Sequence, residues 1–378
     1  MNNHRGILAA AALLGALGTA PRGLCDPSTY TQTNLISDIP GEAETTDSNL
    51  VNPWGLSYSP TGPFWISDNG TGLSSVVTGT GTVDSLVVTV PPPAGGTSPS
   101  APTGNVFNGT MGFDLNGTPA AFIFDTEDGT ISAWNSGTTA TLEVDNSASG
   151  AVYKGLALAN NLLYATNFNA GTINVFNGSF GAATLAGSFS DPNMPAGYAP
   201  FNIAEINGVL FVTYAKQDAA KHDDVAGLGN GFIDEYTLSG TFISRFASNG
   251  QLDSPWGLTV APSDFGTYSG DLLVGNFGDG EINAFDMNGD FVGTLDGGNG
   301  SPIVIPGLWG LDFGNGGSAG PADSLFFSAG IPGGGMVEDH GLFGDLTVPD
   351  SGTTATLLAA GLFALVPIGA LRRRARLA

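Results

Sequence analysis

The sequence predicts an all-β fold: a six-bladed β-propeller over residues 26–347, its last blade closed by an N-terminal strand, followed by one C-terminal transmembrane helix. Three observations predict it. A motif recurs six times along the middle of the chain at intervals of 43 to 57 residues, the period of four-stranded propeller blades. The runs inside each copy (TINVF, EINAF, LLVGNF) are short, β-branched or aromatic, and bounded by Asn-Gly or Asp-Gly turns. No stretch between the two ends carries an amphipathic helical period of useful length.

The first 25 residues read as a secretory signal peptide. Arg5 is a small basic head, and Ile7 to Leu17 form an apolar stretch too short to span a bilayer. Cleavage after Cys25 would remove the chain's single cysteine, so the mature domain is expected to have neither disulfide nor thiolate metal site.

The folded portion begins with YTQTNLIS, Tyr30 to Ser37. This segment belongs to no copy of the repeat. The sixth copy offers only LWGLDF, SLFFSAGI and HGLFGDLT, so the early strand is expected to complete it and to cover an otherwise free β-edge. The copies align on Gly55, Gly112, Gly155, Asn202, Gly257 and Gly310. Copies one and five are the clearest, sharing Pro-Trp-Gly-Leu, an apolar run ending in Asn or Asp, and a Gly turn.

Propeller topology brings the start of each innermost strand and the turn after each second strand to one mouth of the channel. That rule collects Asn52, Trp54, Asp68, Asn69, Asp125, Asn167, Asn202, Trp256, Asn276, Asp279 and Trp309 into a candidate ligand face, with Glu127, Asp128, Lys154, Asn169 and Asp218 beside them. Carboxylate and amide oxygens suit Ca²⁺, and Asp68, Asp125 and Asp279 are its candidate ligands. The same residues before glycine are also ordinary turn formers, and the tryptophans also suit inter-blade packing. An insertion from Ala215 to Gly231, with Asp218, His222, Asp223 and Asp224, is a second candidate.

Charge and motif content bound the function. Of the ten Lys and Arg residues, only Lys154, Lys216, Lys221 and Arg245 lie between Asp26 and Asp350, against all 34 Asp and Glu. Such a surface excludes nucleic acid as a partner. No catalytic residues are assigned. No serine sits in a Gly-x-Ser-x-Gly elbow, and beyond residue 25 the histidines are His222 and His340 alone. His340 has Glu338 and Asp339 beside it, but adjacent strand residues point to opposite faces.

The chain ends Val348-Pro349-Asp350-Ser351-Gly352, an uncharged run over 354–371, then Arg372, Arg373, Arg374 and Arg376. An apolar span followed by arginines predicts a membrane helix with a cytoplasmic C-terminus. Motif, span and cluster in this order resemble the VPDSG variant of PEP-CTERM sorting signals, over residues 348–378. The resemblance implies secretion machinery and an exosortase-type enzyme as partners, membrane anchoring through the helix, and delivery to the cell surface or an extracellular matrix. The middle, with LVNPWGLSYSPTGPFWISDNGTG and KHDDVAGLGNGFIDEY, resembles an uncharacterised bacterial secreted family often found with such tails. More distantly it resembles NHL-type propellers, which include gluconolactonase-like metal hydrolases. The reading favours a non-enzymatic surface protein that binds a glycan or matrix polymer. The alternative is a Ca²⁺-dependent hydrolase or lactonase at the channel mouth.

Overall fold

Strands in this chain alternate between two buried faces. Along Leu162–Asn167, Leu163 and Ala165 enter one apolar cluster while Tyr164 enters another. Along Phe64–Asp68, Phe64 and Ile66 go one way and Trp65 the other. Side chains of period two with apolar neighbours on both sides require each sheet to be sandwiched. A closed ring of sheets satisfies that requirement without leaving a bare face.

The computed structural model describes residues 29–334 and 337–349, and they form this ring. Blade one is Pro53–Tyr58, Phe64–Asp68, Leu73–Val77 and Val83–Thr89, from the axis outward. Blade two is Pro102–Phe107, Phe122–Thr126, Thr130–Trp134 and Thr141–Asp145. Blade three has three strands, Tyr153–Ala159, Leu162–Asn167 and Thr172–Asn177, with an isolated bridge from Phe176 to Ala182 at its outer edge. Blade four is Tyr198–Ile206, Val209–Lys216, Gly231–Thr237 and Phe242–Ser248. Blade five is Pro255–Val260, Leu272–Asn276, Ile282–Phe285 and Phe291–Thr294. In blade six, Leu308–Phe313, Leu325–Ala329 and Leu342–Thr347 are completed by Thr29–Ser37. Helix among the described residues is confined to two short 3-10 turns, Ser147–Ser149 and Gly266–Tyr268.

Each seam between neighbouring blades has its own apolar cluster, such as Phe64 and Ile66 against Phe326 and Phe343 between blades one and six. A fully buried Leu or Phe contributes about 1.5–3 kcal/mol, so the seams hold the ring without a disulfide. The innermost strands touch in turn round the axis. Glycine makes that approach possible. A Cβ on Gly55 would stand 2.7 Å from the Thr103 carbonyl oxygen, on Gly257 2.7 Å from that of Trp309, and on Gly310 2.6 Å from that of Trp54.

This ring corrects the sequence alignment in blade two. Its innermost strand is Pro102–Phe107, so the aligned glycine is Gly104, whose Cβ would meet the Leu156 amide nitrogen at 2.7 Å. Gly112 belongs instead to a side excursion that carries the small hairpin Asp114–Leu115 with Thr118–Pro119. With Gly104 in place the intervals run from 47 to 55 residues, more even than the sequence motif implied.

The expected closure of blade six is present. Thr29–Ser37 pairs antiparallel with Leu342–Thr347, from Thr31 opposite Thr347 to Ser37 opposite Leu342. Beyond the strand, Asp38 accepts from the Gly341 amide (2.8 Å) and pairs with His340 Nδ1 (2.6 Å). Val348 and Pro349 follow the last strand directly. The signal peptide of residues 1–25, the rest of the VPDSG motif, the 354–371 span and the arginine cluster lie outside the described residues. Among the described residues no helix is long and apolar enough to cross a membrane.

Candidate ligand-binding face

In five blades the residue before the ring glycine, or before Asn202, points toward the axis at the mouth where the innermost strands begin. These positions hold Trp54, Lys154, Phe201, Trp256 and Trp309 in five blades, and the four aromatics share one buried axial cluster with Phe168. Trp54 stacks on Trp309 with centroids 3.4 Å apart, Phe277 stacks on the same ring at 4.0 Å, and Trp256 meets both tryptophans edge-on. The tryptophans therefore plug this mouth.

Lys154 stands on the plug. Its side chain is 2% exposed and its ammonium lies 5.1 Å from the Trp54 ring centroid, a cation–π placement. The ammonium donates to Glu127 and lies 3.3 Å from Asp223 Oδ1. Burial opposes its charge, but Glu127, Asp223 and Glu338 outweigh burial and hold its pKa above the ordinary lysine value. Asp223 also pairs with His222 Nδ1 at 2.8 Å. That bond raises the imidazole pKa and lowers the carboxyl to about 2.

A hydrogen-bonded chain spreads from there across several blades. Asn69 Nδ2 donates to Glu127 Oε2 (2.9 Å), and Asn52 Nδ2 donates to Asn69 Oδ1 (3.3 Å) and Glu338 Oε1 (3.0 Å). Asn52 Oδ1 accepts from Trp309 Nε1 at 3.1 Å. Burial pushes Glu338 up to about 7. The insertion of blade four reaches this chain because its own turn is stiffened. The Asp218 carboxylate accepts from the His222 amide, and the Asp218 amide donates to the Asp223 carbonyl.

The sequence treated the channel mouth and the insertion as separate candidates, and the structure joins them. Glu127, His222 and Asp223 each offer a ligand atom within 4.8 Å of the others. Asp68, Asp125 and Asp279 form no such group among the described residues. Asp68 is fully buried, accepts from Ser75 at 2.6 Å, and is pushed well above the ordinary value, chiefly by burial. Asp125 accepts from the Thr103 hydroxyl (2.9 Å) and Gly104 amide (2.6 Å), and burial raises it to about 7. Asp279 accepts from the Glu281 amide at 3.0 Å and holds Asn276 within its own turn.

The amides divide in the same way. Asn167 accepts from the amides of Val152 and Ala170, and Asn276 donates to the Gln251 carbonyl at 2.6 Å. Asn202 Nδ2 donates to the Trp256 carbonyl at 2.7 Å, joining blades four and five. Of the eleven face residues, Asn52, Trp54, Asn69, Trp256 and Trp309 come together about Lys154. Glu338 is the member that the spacing of residues did not nominate, because it lies in the irregular stretch before Leu342–Thr347. The signal for Lys154 was its place immediately before Gly155.

The chain is 34% identical over 332 residues to the uncharacterised protein R648 of Acanthamoeba polyphaga mimivirus, covering 77% of this chain and 80% of that protein. It is 33% identical over 298 residues to uncharacterised protein L690 of the same virus, covering 75% and 79%. No protein-family model matches the chain. Among solved structures, the calcium-binding protein regucalcin of Agrobacterium tumefaciens superposes with a TM-score of 0.53 at 11% identity, covering 86% of this chain and 96% of its own. A gluconolactonase of Xanthomonas campestris superposes with a TM-score of 0.50 at 14% identity, covering 80% and 87%. A streptogramin B lyase does so with a TM-score of 0.50 at 13%, covering 84% and 97%. These likenesses show the propeller fold.

Proposed function

The chain belongs to the family of the uncharacterised mimivirus protein R648, and we propose that this member is an exported surface or matrix protein that binds an envelope glycan or matrix polymer without turning it over. The observation that carries the reading is Lys154, whose ammonium sits between Glu127 and Asp223 on a tryptophan plug. A fixed cation neutralises the carboxylates that would serve a metal, and a plugged mouth offers a surface of fixed polar groups rather than a reaction chamber. Asn69, Glu127, His222 and Asp223 on that surface suit an extended hydroxyl-rich polymer, which hydrogen bonding recognises over several subsites.

Export and anchoring rest on the two terminal segments. Residues 1–25 would direct secretion, and the motif from Val348 to Gly352 with the 354–371 helix and Arg372, Arg373, Arg374 and Arg376 would present the chain to an exosortase-type enzyme. Since Val348 follows the last strand directly, processing at the motif would leave blade six intact. Purified protein incubated with envelope polysaccharide and peptidoglycan fractions should be retained by one of them. Asp223→Ala and Asn69→Ala should weaken retention about tenfold. Retention by none, in a screen that also covers envelope proteins, would contradict the reading.

The second reading is Ca²⁺-dependent hydrolysis. It rests on the proximity of Glu127, His222 and Asp223, and requires a metal to displace the Lys154 ammonium.

A further inference from the structure

Blade three ends in a half-covered edge. On its outer strand, Thr172–Asn177, the Val175 carbonyl accepts from the Ala183 amide and the Asn177 amide donates to the Gly181 carbonyl, both at 2.8 Å. Backbone groups of alternate residues face the same side of an antiparallel ladder, so Ile173 turns outward with them. No hydrogen bond reaches the Ile173 amide, the Ile173 carbonyl or the Val175 amide from that side among the described residues. Past Ala183 the chain stays extended, with Leu185 and Phe189 turned onto the seam cluster and Thr184, Ala186 and Ser188 exposed. It nevertheless leaves this edge for blade four, where the Gly187 amide donates to the Ser239 carbonyl and the Phe189 amide to the Gly240 carbonyl, both at 2.8 Å. Between edge and run lies a slot of about 470 Å³, room for a short stretch of peptide.

We propose that this slot takes an extended peptide segment of a partner protein, paired as an added strand on Ile173 and Val175, uncharged where it enters and flanked by Lys or Arg. An edge with free amides and carbonyls is the template for such pairing. Charged side chains commonly guard an edge against it. The outer strands of blades one, two and four carry Asp84, Glu143 with Asp145, and Arg245, whereas TINVFN carries no charge. Side-chain amides add to the edge. Asn174 Oδ1 accepts from the Tyr153 hydroxyl and Asn167 Nδ2, both at 3.1 Å, which leaves its Nδ2 as a donor without a partner among the described residues. The slot is lined by no charged residue, so the inserted stretch is uncharged. The chain around it has four basic residues against 34 acidic ones between Asp26 and Asp350. That field draws in basic flanks and repels a second copy of this chain. The slot lies on the outer rim of the ring and does not depend on the polymer-binding face.

Titration of a labelled Lys-Lys-Thr-Val-Thr-Val-Lys-Lys peptide with the purified protein, read by fluorescence anisotropy, tests the proposal. Saturable one-to-one binding is expected, with hydrogen exchange slowed at the Ile173 and Val175 amides. N-methylation of the four central residues, which removes the ladder donors, should weaken binding at least tenfold. Replacing the flanking lysines by glutamates should do the same. Ile173→Pro should also weaken it at least tenfold, and proline is tolerated on an edge strand whose N–H faces outward. If that variant misfolds, the N-methylated peptide and the exchange pattern of the wild-type protein still decide the matter. No saturable binding, binding undiminished by N-methylation, or protection confined to other amides would each overturn the proposal. Self-association of the protein that Ile173→Pro abolishes would give the slot to a second copy and overturn it as well. Polymer retention should be indifferent to Ile173→Pro, which separates failure here from failure of the wider role.

Discussion

Gly104 has no room for a side chain. A Cβ there would meet the Leu156 amide nitrogen at 2.7 Å and Asp125 Oδ1 at 2.9 Å, one of them backbone in the next blade. Gly104→Ala should therefore destabilise the ring by about 1–3 kcal/mol, as overpacking does, read from the denaturation midpoint. An unchanged midpoint would mean that the innermost strands are not in contact there. Lys154 shows what sequence could reveal at this scale. Its position before Gly155 marked it for the mouth, since tryptophans fill the same place in three other blades. Its pairing with Asp223 was hidden, because that carboxylate arrives from an irregular insertion whose path no periodicity encodes. The partners of Asp68 and Asp125 were hidden for a related reason. Their place at the end of second strands was legible, but burial and the Ser75, Thr103 and Gly104 partners are set by seam packing.

Among elements, the strand Thr29–Ser37 has the largest consequence. It pairs with the last strand of the ring through residues more than 300 positions away, and the Asp38–His340 and Asp38–Gly341 contacts lock its end. Asp38→Ala should remove both contacts and lower the melting temperature by several degrees. A chain beginning at residue 39 should expose the Leu342–Thr347 edge and associate through it. A monomeric truncated chain with the parental melting temperature would contradict the closure. This strand was legible because it stood outside every repeat while the sixth copy lacked one strand. Blade two was placed a few residues out of register, because the excursion around Gly112 also reads as an apolar run between turns. The missing fourth strand of blade three was not legible either, since the residues after Asn177 carry turn formers without an alternation that fixes pairing.

For the whole molecule, charge and burial act together. Burial raises Asp125, Asp312 and Glu338 to about 7, and Asp224 and Asp234 to about 6. Each holds its proton in the folded chain at pH values where the unfolded chain has released it. Folding therefore takes up protons between about pH 4 and pH 7, and stability falls as pH rises through that window. Mutual repulsion in a chain of formal net charge −24 acts in the same direction. The melting temperature should be several degrees higher at pH 5 than at pH 8. The opposite order would mean that these carboxylates are ionised and satisfied in the folded state.

The account turns on the channel mouth being held by a lysine ammonium rather than a metal. Calorimetric titration of the purified protein with Ca²⁺ at pH 7.5, with lactone hydrolysis measured in parallel, tests it most directly. The wild-type protein should give no saturable heat and no turnover, whereas Lys154→Met, which frees Glu127 and Asp223 while keeping an apolar stem over Trp54, should acquire weak Ca²⁺ binding. A single tight Ca²⁺ site in the wild type, lost in Asp223→Ala and accompanied by turnover, would contradict the account and make the mouth a catalytic centre.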